Sequence, residues 1–522
     1  MAGARGEMMT LSMSNERSGV QGRALDDPAG RRRSTIVGET VVHSADTSSS
    51  EVHSFLPLFI VAALVIFATV VRIIATHNDL WLDELISLRI AQLVKTPWQI
   101  FTAVHSDNNH YLNTLYLYFV RDYAPAYRWL SVVGGVALVP AGYWLLARRS
   151  QLEAAILAGL LTCSYPLIHF SSEARGYSGA LLGSVLACAA LTRWMAPGNG
   201  KGRSFLLGLL YATAVVLAIL SHLTAGLIWC ALGMGSLIVI AGRPITGGRW
   251  KQIALWIALN ALPAAVLAVL YFVDLRFLTE LGGTPMTLPH ALGRLLALAI
   301  GWPGKGALTV CIVLAPLITL ILQRLVREEK SGEPLAILLG CIYLTPLICM
   351  LMLRTTFFSS RYFLVLLPFV YASAAMLLAG LLRTRSGRVA CVVFCALYVA
   401  GQTRLYVKFL PVGRGQFTAA LQYMMKQTES ARVTVAANQA FRSAIELGYY
   451  WPRVAGGRQL QYVTRDSASS IQAEWYILHE EGYESPGPAE FHTADHANWQ
   501  RTAYFGASEL SGQAWTIYRR VH

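Results

Sequence analysis

Long apolar runs fill the middle of the chain and alternate with short polar junctions. A helix needs about 20 apolar residues to cross the hydrocarbon core of a bilayer. Eleven segments meet or approach that length: 55–75, 129–147, 154–171, 176–194, 204–220, 223–242, 252–273, 306–325, 334–353, 362–382 and 388–406. The stretch 204–242 runs for 39 residues without a formal charge. It is too long for one crossing and predicts two helices turning near Ser221–His222. Residues 1–54 are rich in Ser, Gly and Arg with no apolar period, which predicts a disordered tail. The first apolar run starts at Phe55 and is long enough to span, so it does not read as a signal peptide. Beyond residue 406 the pattern changes to charged, aromatic and loop-rich. There Gln416–Gln427 predicts an amphipathic helix, and Arg432–Ala437 and Glu474–His479 predict strands. Three parts follow: a tail (1–54), a membrane domain (55–406) and a small α/β domain (407–522).

Composition and charge sharpen this picture. Only 14% of the 522 residues are charged, against about a quarter in soluble proteins, so the chain has too little polar surface for a soluble fold. The excess of 43 Lys+Arg over 29 Asp+Glu is what topology-fixing basic residues produce, and it does not call for nucleic acid. With the N-terminus inside, the cytoplasmic connections hold 14 Lys and Arg, including Arg243 and Lys330, while the three short outer turns hold only Arg175, Arg354 and Arg361. That asymmetry makes the tail cytoplasmic and, after eleven crossings, puts 407–522 outside. The eight cysteines all lie within apolar runs, so neither a disulfide framework nor a zinc site is expected.

Four polar clusters then map to the outer side. The first, His77-Asn78-Asp79-Leu80-Trp81-Leu82-Asp83-Glu84, predicts a short helix capped by Asn78 or Asp79, with Trp81, Leu82 and Leu85 toward the lipid interface. The plain structural role for Asp83 and Glu84 is to complement the helix dipole. Neighbouring helical residues diverge by about 100°, so the two carboxylates should have different tasks. The second cluster, His105-Ser106-Asp107-Asn108-Asn109-His110-Tyr111-Leu112-Asn113, precedes an aromatic helix. Such hydrogen-bonding capacity beside a membrane fits a solvated loop, a sugar, or a metal held by His105, Asp107 and His110. The third and fourth, Ser171-Ser172-Glu173-Ala174-Arg175-Gly176-Tyr177 and Ser359-Ser360-Arg361-Tyr362, each set an Arg near a Tyr. They fit either lipid headgroup anchoring or a phosphate clamp, in which a guanidinium fork is joined by a phenolic hydroxyl. His222 and Lys305 are lone candidates on the same side. Carboxylates with arginines on one face point to group transfer from a lipid-borne phosphate.

Taken in order, these motifs resemble the GT-C superfamily of membrane glycosyltransferases. The likeness runs from Trp81-Leu82-Asp83-Glu84 through the second cluster and its aromatic helix, then Glu173-Ala174-Arg175-Gly176-Tyr177, to Arg361-Tyr362 leading into a Leu- and Pro-containing span. It covers about residues 55–406 and is nearest to the bacterial branch with protein O-mannosyltransferases and the aminoarabinose and galacturonic acid transferases of lipid A. Many members carry Pro-Pro or His-Pro where this chain has Asn109-His110-Tyr111-Leu112, which leaves the branch and its acceptor open.

The resemblance implies a polytopic α-helical membrane protein of about 11 transmembrane helices with a small extracytoplasmic α/β C-terminal domain. It would lie in a bacterial inner membrane, N-terminus cytoplasmic and C-terminus periplasmic. It implies a polyprenyl-phosphate sugar donor, a lipid, glycan or protein acceptor, and a single inverting displacement. Asp83 would be the general base; Arg175, Tyr177, Arg361 and Tyr362 would hold the donor phosphate. Glu84, His105, Asp107 and His110 would bind sugar or acceptor hydroxyls, or one divalent cation; no other cofactor is expected. A nucleotide-sugar donor is disfavoured, because the cytoplasmic loops hold no Gly-rich phosphate loop or paired-Asp motif. Three other readings compete. A flippase of lipid-linked sugars would be expected to show internal repeats or polar breaks at mid-membrane, and neither is found. A non-catalytic assembly protein would not depend on Asp83. A ligase moving a whole glycan from a polyprenyl diphosphate would differ only in donor.

Overall fold

The computed structural model describes residues 47–242, 249–278, 286–302, 306–328, 334–353, 359–463, 473–480, 485–493 and 497–521. The expected tail up to residue 46, together with Arg243, Lys305, Lys330 and Arg354, lies outside them. Residues His53–His522 form one compact unit, distinct from Met1–Val52.

Each apolar segment is helical. Among the described residues, seven helices are long and apolar enough to cross a membrane, so the chain is a multi-pass membrane protein. Seven falls short of eleven partly because one segment is divided. The 154–171 segment breaks into Gln151–Cys163 and Tyr165–Phe170, since Pro166 cannot donate to the preceding turn. The freed groups find partners elsewhere: Arg72 donates to the Leu161 carbonyl at 3.3 Å and Gln402 accepts the Tyr165 N–H at 2.6 Å. The uncharged stretch divides as expected, into Lys201–Ser221 and Ala225–Gly242. Between the apolar segments 252–273 and 306–325, residues Leu288–Ile300 form a further helix whose Leu292, Leu295, Leu296 and Ala299 enter the main core.

The C-terminal residues build a six-stranded sheet. Its strands are β1 (Arg432–Ala437), β2 (Gln459–Val463), β3 (Trp475–Glu480), β4 (Glu490–His492), β5 (Asn498–Phe505) and β6 (Ala514–Val521). The order is β2-β1-β3-β6-β5-β4, with β1 parallel to β2 and β3 and the remaining pairs antiparallel. Helices Phe417–Gln427 and Ala440–Val454 supply apolar faces. Trp475 and Trp515 are fully buried in a core they share with Phe417, Leu421 and Val435. Trp81, Leu82 and Leu85 belong to that same core. This corrects the expectation that they meet the lipid interface: all three side chains are buried against apolar residues of the C-terminal part, which removes their surface from water.

Candidate active site

The first-loop helix runs Leu82–Leu93 and starts at Trp81. Glu84, three residues into it, accepts the Trp81 N–H at 3.2 Å, half of a capping box. Asp79 does not cap this helix. Its carboxylate accepts the Thr418 N–H and hydroxyl at 2.7 and 2.9 Å and so caps Phe417–Gln427 instead. Burial pushes the Asp79 carboxyl up, and the Thr418 bonds and the Arg128 charge oppose that shift.

Asp83 and Glu84 diverge as helix geometry requires. Glu84 turns inward and is 1% exposed. Arg128 grips both its oxygens, at 2.7 and 2.6 Å, and also donates to the carbonyls of Thr76, Asn78 and Asp79. The remaining bond to Glu84 comes from the Ala174 N–H at 2.7 Å. Glu84 is thus an internal tie, which corrects its assignment to sugar or acceptor hydroxyls.

Asp83 points the other way and meets two arginines on its Oδ2, Arg175 at 2.6 Å and Arg361 at 2.8 Å. The fourth polar cluster thereby reaches the first across 278 residues of chain. Arg175 is nearly enclosed, with a side chain 4% exposed, while Arg361 is open to 20%. Arg175 also donates to Asn108 and to His110 Nε2, the latter at 2.8 Å, with Tyr177 Oη at 3.5 Å. Both guanidiniums lie over the Trp81 ring, 5.8 and 5.9 Å from its centre. Arg175 Nε is buried with no partner among the described residues. Tyr362, next to Arg361, is half-buried.

His110 is buried between Arg175 and the Ser221 carbonyl, 3.2 Å from its Nδ1. Burial, Arg175 and His222 all hold this imidazole well below its ordinary range. The neutral ring donates from Nδ1 and accepts at Nε2. Sequence reasoning left His222 as a lone candidate, but it completes the group. Its ring lies 4.6 Å from His110 and 4.7 Å from Tyr177. Gly176 allows this approach, since a Cβ there would stand 1.7 Å from the Ser221 carbonyl oxygen. The signal for His222 was its place at the turn dividing the uncharged stretch.

The other expected contacts separate. His105 Nδ1 pairs with Asp274 at 2.7 Å, and Tyr111 donates to the second oxygen of Asp274 at 2.5 Å. Asp107 is exposed. The metal set His105, Asp107 and His110 does not gather: His105 is turned to Asp274 and His110 to Arg175. Among the described residues, no three His, Cys, Asp or Glu side chains are grouped to hold an ion.

A second buried network stands behind Arg175. Glu173 receives Arg414 at 3.1 Å and Ser511, and His169 lies 3.3 Å from the same oxygen. Burial would raise this carboxyl, but the His169 bond, Arg414 and Ser511 overcome it and hold Glu173 at about 2. Arg414, fully buried, also donates to Asn78 Oδ1, the His169 carbonyl and Ser172 Oγ at 3.0, 2.6 and 2.8 Å. One side chain thus ties the loop before Asp83 to the loop before Arg175.

No known protein family and no curated protein matches the chain by sequence. Solved structures do. ArnT from Cupriavidus metallidurans in the apo state is 11% identical, with a TM-score of 0.52 over 90% of this chain and 98% of that one. The same protein bound to undecaprenyl phosphate is 12% identical, with a TM-score of 0.50 over 88% and 97%. These likenesses show that the chain shares the fold of those structures.

Proposed function

We propose that the protein is a membrane glycosyltransferase that moves a single sugar from a polyprenyl-phosphate donor to an envelope acceptor. One observation carries this reading. Arg175 and Arg361 converge on a single carboxylate oxygen, with both neighbouring imidazoles neutral. Glu84 is matched by Arg128 and Glu173 by Arg414. Among the described residues the group therefore carries one positive charge in excess. An uncompensated buried charge is costly, and a phosphate monoester offsets it while offering oxygens suited to guanidinium forks. The fold supports the reading as well, since a structure sharing it holds undecaprenyl phosphate.

In this mechanism the phosphate takes over the arginines and frees Asp83. The acceptor hydroxyl oxygen attacks the anomeric carbon, and its proton passes to Asp83 as general base. The carbon–oxygen bond to phosphate breaks with inversion. The polyprenyl phosphate leaves with its charge held by Arg361 and Arg175, with Tyr177 and Tyr362 beside them. The positive-inside pattern supports an inner-membrane location, with this site and the sheet on the periplasmic side.

The test supplies purified protein in proteoliposomes with radiolabelled polyprenyl-monophosphate sugars, a polyprenyl-diphosphate glycan and an envelope extract. Label passing from a monophosphate donor to the extract, and lost in Arg361→Ala, is expected. Transfer from the diphosphate alone would make the protein a whole-glycan ligase. Label crossing the bilayer without transfer would make it a flippase.

A further inference from the structure

His222 sits at the end of Lys201–Ser221, pressed against the turn that carries Arg175. Its Nδ1 receives the Thr224 N–H at 3.2 Å and faces the Thr224 hydroxyl at 2.9 Å. A backbone N–H can only donate, so Nδ1 is the acceptor and the ring proton resides on Nε2. Burial, Arg175 and Arg361 push this imidazole down to about 3, so it remains neutral at any working pH. His110 is different: it is buried and both its nitrogens are engaged. His222 is half-buried, and its Nε2–H has no hydrogen-bond partner among the described residues.

We infer that His222 is the third, uncharged phosphate-binding donor of the two-arginine site. The inference rests on the proposed donor and adds the chemistry by which it is gripped. The cluster already has one positive charge beyond its carboxylate, so a further cation would raise the cost of the empty site. A neutral N–H adds a directed bond to a phosphate oxygen without adding charge. Its fixed tautomer also means that no proton has to move before the ligand enters. The His110 ring meets the imidazole edge-on and the Tyr177 ring lies tilted against it, so the donor is oriented before binding.

The experiment measures the affinity of undecaprenyl phosphate, which carries no sugar, for wild type, His222→Phe and His222→Gln in nanodiscs. Phenylalanine keeps the aromatic packing and removes the donor; glutamine restores an N–H. His222→Phe should bind roughly 10- to 100-fold more weakly, the usual worth of a hydrogen bond to a charged group, and His222→Gln should recover most of that loss. Equal binding by His222→Phe and wild type would overturn the role of His222 and leave the donor reading standing. Equal weakening of both variants would show that restoring an N–H does not recover binding, and would also overturn it. Failure of the wild type to bind would remove the donor reading itself, and this inference with it.

Discussion

Glu84 accepts the Ala174 N–H at 2.7 Å, and one residue away on each strand of chain Asp83 pairs with Arg175 at 2.6 Å. The inner bond sets the distance across which the outer pair meets. Adjacent carboxylates thus divide their work, one holding two loops together and the other facing the ligand side.

Replacing Glu84 tests that division. Glu84→Gln leaves Arg128 buried without its counter-charge, which costs about 3–5 kcal/mol. The expected result is a large drop in the thermal midpoint of the purified protein, with transfer lost alongside it. Asp83→Asn removes a more exposed group, whose side chain is 16% exposed, and should lower the midpoint by less. Equal midpoints for wild type and Glu84→Gln would show that Glu84 is not the tie.

Arg414 makes a second tie, from the chain leading into the sheet. Arg414→Gln or Glu173→Gln alone strands the partner charge at a fully buried position. Each should destabilise strongly, while the double variant, having no charge to strand, should be less destabilised than the sum of the two. A thermal double-mutant cycle reads the coupling. Simple additivity would show that the pair is not an interacting unit.

Gly176→Ala would bring a methyl to 1.7 Å from the Ser221 carbonyl oxygen. Overpacking of this kind costs about 1–3 kcal/mol and must displace either the Arg175 turn or His222. Transfer and thermal midpoint should both fall. Gly159→Ala, with nothing within 4 Å of the added methyl, is the control and should change neither.

These residues mark what the sequence could and could not reveal. Apolar run length located the helices, and the turn near Ser221–His222 was legible because 39 uncharged residues cannot cross once. Strand β1 matches its expected bounds, since alternating Val433 and Val435 bury one face. Sidedness put the clusters that hold Asp83, His110, Arg175 and Arg361 on one face, but it did not separate these four from Glu84, His105 and Asp107. The ties were not. Arg128 and Arg414 are single charges in unremarkable contexts, and their carboxylates lie 44 and 241 residues away in the chain. Nor does any local pattern tell Asp83 from Glu84; burial decides it, and the partners that bury Glu84, Arg128 and the Ala174 N–H, lie 44 and 90 residues away.

The sheet carries its own pH dependence. Glu446 is fully buried, with the end of the Gln513 side-chain amide beside one oxygen and His479 Nδ1 at 3.8 Å from the other. Burial pushes it up to about 8, against the charge of Arg442. Its folded pKa exceeds the unfolded value near 4.5, so its share of stability is full below that value and is lost as pH rises toward about 8. Glu446→Gln should therefore raise the thermal midpoint by about a few degrees at pH 8 and leave it unchanged at pH 4.5. Parallel midpoint curves for wild type and variant would contradict this.

The central claim is that Asp83 takes the acceptor's proton while the arginines hold the departing phosphate. Single-turnover transfer from a radiolabelled polyprenyl-monophosphate sugar, compared between wild type and Asp83→Asn, tests it most directly. Asparagine keeps the shape of the side chain and cannot act as the base. The account predicts a fall in rate of at least about a hundredfold with donor still bound. Transfer by Asp83→Asn at the wild-type rate would contradict it.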